Sequence, residues 1–239
     1  MPAGEDLLRQ RSLNAEKTRR PAWDGDFLRQ VFDILLVAYG PQHWWPGDTP
    51  FEIAIGAILT QNTAWSNVER AISTLKAGGY LESVQAMRVL SARDLAPLIR
   101  PAGYFNLKAK RLLAFGHWLE QADGLPGLGN IPTPKLRQQL LGINGIGPET
   151  ADDILLYALD RPVFVVDAYT RRLFERLGCL TGGEDYETIR QGFESALPPD
   201  PMFYNEYHAL IVRHAKAVCH KRQPGCPRCP LAARCDAQH

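Results

Sequence analysis

Four cysteines near the C-terminus form the most specific chemical pattern in this 239-residue sequence. They follow the spacing C-x6-C-x2-C-x5-C and are Cys219, Cys226, Cys229 and Cys235. In a reducing compartment, where disulfides are not expected, four such thiolates bind either a tetrahedral zinc ion or a [4Fe–4S] cluster. Zinc sites usually contain two short C-x2-4-C pairs, whereas only one is present here, so the spacing favours the cluster. Cys179 stands apart and is predicted to be a buried apolar residue rather than a ligand.

A glycine-rich segment between two predicted helices could bind an anion. It has the sequence LGINGIGPET and occupies residues 141–150. Gly145 and Gly147 allow a sharp turn, because glycine tolerates a positive φ. The backbone N–H groups around Ile146 can then approach an anion at the start of the following helix, as in a site that holds a DNA phosphate without reading base sequence. An ordinary turn between two helices is the alternative interpretation.

Asp167 lies twenty residues beyond Gly147, after the apolar run 163–166 and at the start of a predicted helix. An aspartate in this position commonly caps the helix by accepting hydrogen bonds from its first N–H groups. Its carboxylate could also assist cleavage of a glycosidic bond, either by stabilising a developing oxocarbenium ion or by activating water. The residues alone leave both roles open.

The elements that must position these groups are helices. Apolar residues recur with helical spacing along most of the chain, while no alternating strand pattern and no repeat of fixed period occurs, so the fold class is all-α. Residues 1–22 are polar and charged and are predicted to form a mobile arm. The predicted helices are 27–39, 51–60, 65–78, 91–99, 107–121, 135–141, 148–159, 167–177, 186–197 and 203–218. Helix 27–39 carries an apolar stripe, and 51–60 is apolar nearly all round apart from Glu52 and is expected to be central and buried. Ser91 and Asp94 resemble a capping box at the start of helix 91–99.

Composition predicts no transmembrane helix, and the distribution of charge fits a polyanion partner better than the net charge suggests. Hydrophobic residues make up 45% of the chain and charged residues 22%, as in globular proteins with a substantial core. The chain begins with charged residues where a signal peptide needs an apolar run, so a cytoplasmic location is expected. The net charge is only +1, but cations gather in 101–118 and beyond residue 207. Such basic faces suit a polyanion, with a merely solvated surface as the alternative.

In combination, the hairpin, the V-V-D sequence ending at Asp167 and the spaced cysteines resemble the endonuclease III group of DNA glycosylases. The resemblance runs over nearly the whole chain. It implies a [4Fe–4S] cluster and two helical domains that flank a DNA-binding cleft, with the damaged base turned out of the duplex into a pocket. On this basis we expect a six-helix domain with the helix-hairpin-helix motif at 45–161. A cluster domain would be formed by 23–44 together with 162–239.

The same resemblance implies roles for particular residues. It makes Asp167 the catalytic carboxylate, a role compatible with capping the helix. It also implies that Gln61 and Asn62, in the sequence LTQNT, fill the gap left by the extruded nucleotide and hydrogen-bond the orphaned base. Without the resemblance, this segment would be interpreted as an ordinary polar end of a helix.

Two positions depart from the patterns of this group. Bifunctional members carry a lysine two residues after the second hairpin glycine, where the amine attacks the sugar and permits strand cleavage. Glu149 occupies that position here, and a carboxylate cannot form a Schiff base. The adenine-excising branch has a glutamate at the position of Ala57, so an adenine–mismatch glycosylase is not expected.

The sequence is most similar to the 3-methyladenine glycosylase branch of the group. The resemblance rests on the run Trp44–Trp45–Pro46, on LTQNT and on GPETAD. It implies a base pocket formed by Trp44, Trp45, Pro46 and Glu149. A methylated purine is cationic and gains from stacking on electron-rich indole rings. Packing of the two tryptophans in the core is the alternative.

Together these features predict a monofunctional DNA N-glycosylase of base excision repair that removes damaged, alkylated bases. It would act as a monomer on double-stranded DNA with damaged or abasic sites, in the cytoplasm at the nucleoid. A structural cluster would shape a basic DNA-contacting loop with Lys221, Arg222 and Arg228. One alternative is a bifunctional endonuclease III that acts on oxidised pyrimidines with a lysine from elsewhere. The other is a non-catalytic DNA-binding protein that retains the fold.

Overall fold

A computed structural model describes residues 23–44 and 47–237. The predicted arm at 1–22 lies outside the described residues, as do Trp45 and Pro46 of the predicted base pocket. Within the described ranges every regular element is helical and no strand occurs, which confirms the all-α fold class. None of these helices is both long and apolar enough to cross a membrane.

The helices are numbered here in chain order. Those of the described residues are α1 (Gly25–Tyr39), α2 (Pro50–Leu59), α3 (Trp65–Ala77), α4 (Val84–Arg88), α5 (Ala92–Leu98), α6 (Phe105–Gln121), α7 (Gly124–Gly127), α8 (Thr133–Leu141), α9 (Pro148–Asp153), α10 (Ala168–Arg176), α11 (Tyr186–Ala196) and α12 (Pro201–Ala217). A π-helical segment, Ile154–Ala158, continues α9. Short 3-10 turns lie at Arg100–Ala102, Cys226–Arg228 and Ala232–Arg234.

Capping residues account for where several helices begin. The carboxylate of Asp24 accepts hydrogen bonds from the backbone N–H groups of Asp26 and Phe27, at 3.1 and 3.2 Å. Ser91 caps α5 and accepts from the N–H of Asp94 at 3.3 Å, as the predicted capping box requires. Each cap satisfies N–H groups that have no partner within the helix.

The described chain forms two compact units, and the larger comprises 41–167 and 198–210. Its core surrounds α2, which is apolar nearly all round as the sequence predicted. Glu52 is the acidic residue of α2, and its carboxylate lies 2.8 Å from the amine of Lys76. Side chains from α3, α6 and the segment Ile154–Ala158 complete this core.

The described parts of the other unit are 23–40, 168–197 and 211–237. Its core contains a chain of aromatic contacts. The ring of Phe193 meets Trp23 at a centroid distance of 5.7 Å and Phe174 at 4.8 Å, both edge to face. A Cβ at position 192 would lie 2.1 Å from the Trp23 ring, so the close approach of this indole requires Gly192.

The division into units differs from the predicted domains at residues 198–210. The prediction assigned this segment to the cluster domain, whereas it belongs to the same unit as 41–167. The reason lies in aromatic packing, because Phe164 contacts Tyr204 and Tyr207 edge to face at centroid distances of 5.4 and 5.9 Å. The predicted boundaries at 44–45 and 161–162 also fall a few residues from those of the structure, at 40–41 and 167–168.

The helices of the structure differ from the predicted ones in three local respects. Helix α4 and the single turn α7 were not predicted, because five and four residues are too short to display a period. Helix α8 begins at Thr133, two residues before the predicted range 135–141, with Pro132 at its N-cap. The helix predicted at 148–159 changes hydrogen-bond register at Ile154 and becomes π-helical, which is frequent at functional sites.

Candidate active site

The hairpin between α8 and α9 is a tight turn in which one glycine, Gly147, has open space beside it. Gly145 has a φ of +87°, and a Cβ there would lie 2.5 Å from the side chain of Arg111. Gly147 is extended, and a Cβ at this position would meet no atom within 4 Å. Ile143 and Ile146 are buried and anchor the turn. The fold therefore needs glycine at 145 for its own conformation, whereas the space beside Gly147 lets a partner approach the backbone.

An ion pair joins the two helices of the hairpin. Arg137 on α8 donates from Nε and Nη2 to the two carboxylate oxygens of Asp152 on α9, at 2.6 and 3.0 Å. The Asp152 side chain is fully buried and Arg137 is 13% exposed. A two-pronged bond between planar groups fixes the angle as well as the distance between two helices.

Gln61 is held against the hairpin by its side-chain amide. Its Nε2 donates to the carbonyl oxygen of Gly145 at 3.0 Å and to Oγ1 of Thr150 at 2.9 Å, and its Oε1 accepts from Arg111. Asn62, in contrast, is exposed and has a left-handed φ of +53°. The loop predicted to enter the duplex is thus attached to the hairpin through Gln61 and exposes Asn62.

Lys108 supports the same loop from inside the core. Its buried amine donates to the carbonyl oxygens of Leu59 and Ala102, both at 2.8 Å. Burial, together with the charge of Arg111, lowers the pKa of Lys108 to about 8. Because Leu59 ends α2, these bonds satisfy a carbonyl group at the helix end and fix the point where the Gln61 loop begins.

Asp167 combines an anchored backbone with an accessible carboxylate. It follows the run 163–166, whose four side chains are almost entirely buried, and it directly precedes the first residue of α10. Its own side chain keeps 14% of its accessible surface. A carboxylate in this position is held in place and can still be reached by a ligand.

Other acidic groups surround Asp167. Glu149, Asp153 and Tyr157 follow each other at a spacing of four residues along α9 and the π-helical segment. Burial raises the pKa of Asp153 well above its ordinary value, and the charges of Glu149 and Asp167 raise it further. Burial also raises the pKa of the Tyr157 phenol, with added contributions from the Asp153 and Asp167 carboxylates. The region is electronegative and favours a cationic ligand.

A buried imidazole links two of these groups. His208 on α12 is 5% exposed, and its Nδ1 lies 2.5 Å from the Tyr157 hydroxyl oxygen. Its Nε2 lies 3.6 Å from Oδ2 of Asp167. The ring of Trp44 is tilted by 59° relative to the His208 ring, with centroids 6.4 Å apart. Trp44, the described aromatic residue of the predicted pocket, therefore contacts the group that faces Asp167.

The four C-terminal cysteines form a connected set. Burial raises the pKa of Cys229, and the charges of Cys219, Cys235 and Cys226 raise it further, because the thiols are neighbours. Arg176 donates to the sulfur of Cys219 at 3.0 Å. Among the described residues, no group of three or more His, Cys, Asp or Glu side chains converges on the position of one metal ion. Four neighbouring thiols are a ligand set that either a [4Fe–4S] cluster or a zinc ion can take.

The basic residues predicted to contact DNA lie in the same loop. Lys221, Arg222 and Arg228 are all exposed. Arg228 also donates from Nη2 to the carbonyl oxygen of Ala217 at 3.0 Å, which ties the loop to the end of α12. Arg176 binds the carbonyl oxygen of Lys221 from α10. These bonds to backbone carbonyls fix the course of the chain on which the cations stand.

Reasoning from the sequence missed three residues of this site. Asp153 and Tyr157 could have been found, because residues four apart from Glu149 share one face of a helix. His208 gave no comparable signal. It lies on the apolar face of a predicted helix, 51 residues beyond Tyr157, and only the folded chain brings the two together.

Comparison with known proteins connects this geometry to a family. Residues 55–199 match the family described as HhH-GPD superfamily base excision DNA repair protein. A Methanocaldococcus jannaschii protein named as a DNA repair glycosylase is 48% identical over 213 residues, which cover 88% of this chain and 96% of that protein.

Two solved structures share the fold. The H. pylori 3-methyladenine DNA glycosylase bound to 1,N6-ethenoadenine is 30% identical, with a TM-score of 0.70 and coverage of 81% of this chain and 97% of that one. A non-covalent endonuclease III–DNA complex is 21% identical, with a TM-score of 0.75 and coverage of 89% and 95%. From the family match and the identity to the M. jannaschii protein, the chain belongs to the HhH-GPD superfamily of base excision DNA repair proteins.

Proposed function

We propose that this chain is a monofunctional DNA N-glycosylase that removes alkylated bases, foremost purines that carry a positive charge. Glu149 is the observation that carries the proposal. It occupies the hairpin position at which lyase chemistry needs an amine. Its negative charge contributes to the raised pKa values of Asp153 and Tyr157 in the candidate site. A carboxylate cannot attack the sugar to form a Schiff base, so base loss leaves an intact abasic strand.

Asp167 promotes the loss of the base in this proposal. Cleavage of the glycosidic bond develops positive charge on the sugar, which an adjacent carboxylate stabilises, and the same group can activate the attacking water. The accessible side chain of Asp167, set directly after a buried run, supports this role. The neighbouring acids add to the negative potential that favours the charged transition state.

The base pocket is proposed to contain Trp44, Trp45, Pro46 and Glu149. The support is the ring contact between Trp44 and His208, whose imidazole faces Asp167. An indole face attracts a cationic ring, and the surrounding carboxylates have the same preference. The H. pylori glycosylase, 30% identical, is named for 3-methyladenine and was solved with 1,N6-ethenoadenine, which supports a modified purine as substrate here.

Double-stranded DNA with a damaged or abasic site is the proposed partner, bound by a monomer. The open backbone at Gly145–Gly147 would hold a phosphate, and Lys221, Arg222 and Arg228 would contact others. Asn62 is already exposed for insertion into the duplex. Gln61 would first have to exchange its bonds to Thr150 and the hairpin for bonds to the orphaned base.

The four cysteines are proposed to hold a [4Fe–4S] cluster, which their spacing in the sequence favours over zinc. When bound, the cluster would supply four covalent crosslinks to the loop 219–235, so its contribution is structural. Thiolate ligands of this kind persist in a reducing compartment, in keeping with action in the cytoplasm at the nucleoid.

Base release from a panel of lesions tests the proposed function. Duplexes that carry methylated purines, 1,N6-ethenoadenine or oxidised pyrimidines are incubated with the protein, and strand breaks are counted before and after alkali. We expect release of alkylated bases, with nicks only after alkali and no complex trapped by borohydride. Glu149→Lys, which restores an amine, is the matched variant and is expected to yield weak trapping. Efficient trapping by the unaltered protein would overturn the proposal in favour of a bifunctional endonuclease III.

Asp167→Asn examines the proposed catalytic role separately. The amide keeps the shape of the side chain and removes its charge. We expect base release to fall to background while affinity for DNA with an abasic analogue changes by less than about tenfold. A folded Asp167→Asn protein that still releases bases at the original rate would exclude this role. If no lesion is released at all, the chain is a DNA-binding protein that retains the fold.

A further inference from the structure

His208 is a buried group that the proposed function leaves unused. Of its two ring nitrogens, Nδ1 meets the Tyr157 hydroxyl at 2.5 Å and Nε2 faces Oδ2 of Asp167 at 3.6 Å. Nε2 is fully buried and forms no hydrogen bond with any described residue. Buried polar atoms are rarely left without a partner, so an unsatisfied nitrogen directed at the proposed catalytic carboxylate calls for a functional explanation.

The surroundings of His208 select one tautomer of its ring. Burial raises the pKa of the Tyr157 phenol, and the Asp153 and Asp167 carboxylates raise it further, so the phenol keeps its proton. A protonated phenol can donate to Nδ1. A lone pair on Nε2 would be repelled by the carboxylate of Asp167, whereas an N–H is attracted to it. Both contacts therefore favour the tautomer that accepts at Nδ1 and carries its proton on Nε2.

We propose that His208 is a positioning residue whose Nε2–H holds Oδ2 of Asp167 and so fixes the orientation of the carboxylate toward the sugar. A movement of roughly 0.5 Å closes the present gap to hydrogen-bond distance. Such an N–H suits this task, because a hydrogen bond orients the carboxylate that stabilises the developing positive charge of the transition state. Tyr157 completes the arrangement, since its hydroxyl keeps the proton on the nitrogen that faces Asp167. The inference rests on the proposed role of Asp167.

Two substitutions of His208 distinguish the roles of its two ring nitrogens. In His208→Gln the amide nitrogen lies as far along the side chain as Nε2 of histidine, so a donor toward Asp167 is retained. In His208→Asn the amide lies at the level of Nδ1, so an acceptor for Tyr157 is retained but no donor reaches Asp167. Both variants bury a neutral amide, but asparagine is one methylene smaller, so a role confined to packing would lower the Tm of His208→Asn in step with its rate. A loss of rate that exceeds the loss of stability therefore identifies the missing donor.

The measured quantities are the single-turnover rate of base release from methylated duplex DNA and the Kd for a duplex with a stable abasic analogue. We expect His208→Asn to slow base release by about 10- to 100-fold, as for a displaced catalytic group, with an unchanged Kd. His208→Gln should remain within about fivefold of the unaltered protein, because the donor is kept. Tyr157→Phe should show an intermediate loss, since it removes only the group that selects the tautomer.

Equal losses in His208→Gln and His208→Asn would overturn the inference, and so would an unaltered rate in His208→Asn. A loss explained entirely by weaker DNA binding would do the same. Asp167→Asn in the same assay distinguishes a failure of the positioning role of His208 from a failure of the catalytic role of Asp167. If Asp167→Asn is inactive while the His208 variants fail to separate, only the positioning role is lost. If Asp167→Asn is fully active, the role of Asp167 fails first.

Discussion

At the scale of single residues, the candidate site gathers acidic groups that oppose each other's ionisation. Asp153 is nine-tenths buried, and the neighbouring carboxylates of Glu149 and Asp167 oppose its ionisation. Removing a carboxylate from water is costly unless it is paired, so this residue lowers the stability of the native state at neutral pH. A cationic base or a developing oxocarbenium ion gains from the same charges, which explains how such an arrangement can be useful.

Asp153→Asn is expected to stabilise the protein in a pH-dependent way. The pKa of Asp153 is raised in the folded state, so its protonated form stabilises the native protein. This contribution to the free energy of unfolding is fully present below the ordinary pKa of aspartate, and it is lost as pH rises through the folded pKa. The asparagine side chain does not ionise, so the variant lacks this pH dependence. Thermal unfolding should therefore show a higher Tm for the variant at pH 8, by about 2 °C or more, with the difference shrinking toward pH 4.

Asp33→Asn is the control for this measurement. Asp33 pairs with Arg29 on the exposed surface of α1, and its side chain is 54% exposed. Exposed pairs of this kind contribute little, so its Tm should follow the unaltered protein at every pH. A Tm difference for Asp153→Asn that does not vary with pH would contradict the assignment of the effect to ionisation.

At the scale of elements, the hairpin is connected to its surroundings by polar side chains as well as by apolar packing. Arg137 and Asp152 clamp α8 to α9, and Gln61 joins the turn to the end of α2. The phosphate-binding geometry proposed for the turn thus depends on bonds outside the turn itself. A polar network of this sort is rigid only while every partner is present.

Arg137→Met tests the clamp. It leaves the fully buried carboxylate of Asp152 without the guanidinium, and breaking a buried ion pair in this way costs about 3–5 kcal/mol of unfolding free energy. The double variant Arg137→Met with Asp152→Leu removes both charges and should recover most of the loss. Urea denaturation of the two single variants and the double variant provides the coupling energy.

A coupling energy near zero would contradict the clamp, because two independent residues have additive effects. DNA affinity provides a second readout. The double variant restores stability without the fixed angle between α8 and α9, so its affinity for duplex DNA should stay below that of the unaltered protein. Full recovery of both properties would show that the clamp contributes to stability alone.

At the scale of the whole molecule, each compact unit is assembled from segments far apart in the chain. In the smaller unit, the C-terminal loop depends on α10 because Arg176 binds the sulfur of Cys219 and the carbonyl oxygens of His220 and Lys221. The N–H of Asp236 donates to the carbonyl oxygen of Arg176 at 3.0 Å. One arginine therefore holds both ends of the loop that carries the four cysteines.

Iron analysis tests the cluster proposed for this loop. Protein purified without oxygen should be yellow-brown and contain about four irons per chain. Cys226→Ser should lose most of the iron and lower the Tm, because a missing ligand leaves the loop without one of its crosslinks. Cys179→Ala is the matched control. Cys179 is buried and stands outside the four-cysteine spacing in sequence, so iron content should be unchanged. One zinc per chain without iron would exclude the cluster.

Much of this protein was determined by features written locally in its sequence. The buried stripe of α1, the cap at Ser91 and the apolar α2 were all predicted, because capping and helical periodicity depend on residues within a few positions of each other. The all-α fold class followed from the same patterns. The order and spacing of the hairpin, Asp167 and the cysteines sufficed to indicate the family, since they are also properties of the linear chain.

The tertiary structure alone decided how the site is completed. The assignment of 198–210 to the larger unit and the pairing of His208 with Asp167 share one cause. Each depends on contacts between residues that lie tens of positions apart, and such contacts form only when the chain folds back on itself. An imidazole on the apolar face of a helix is indistinguishable in sequence from a core residue. In the folded chain, its position opposite a carboxylate is what suggests that it can donate a hydrogen bond there.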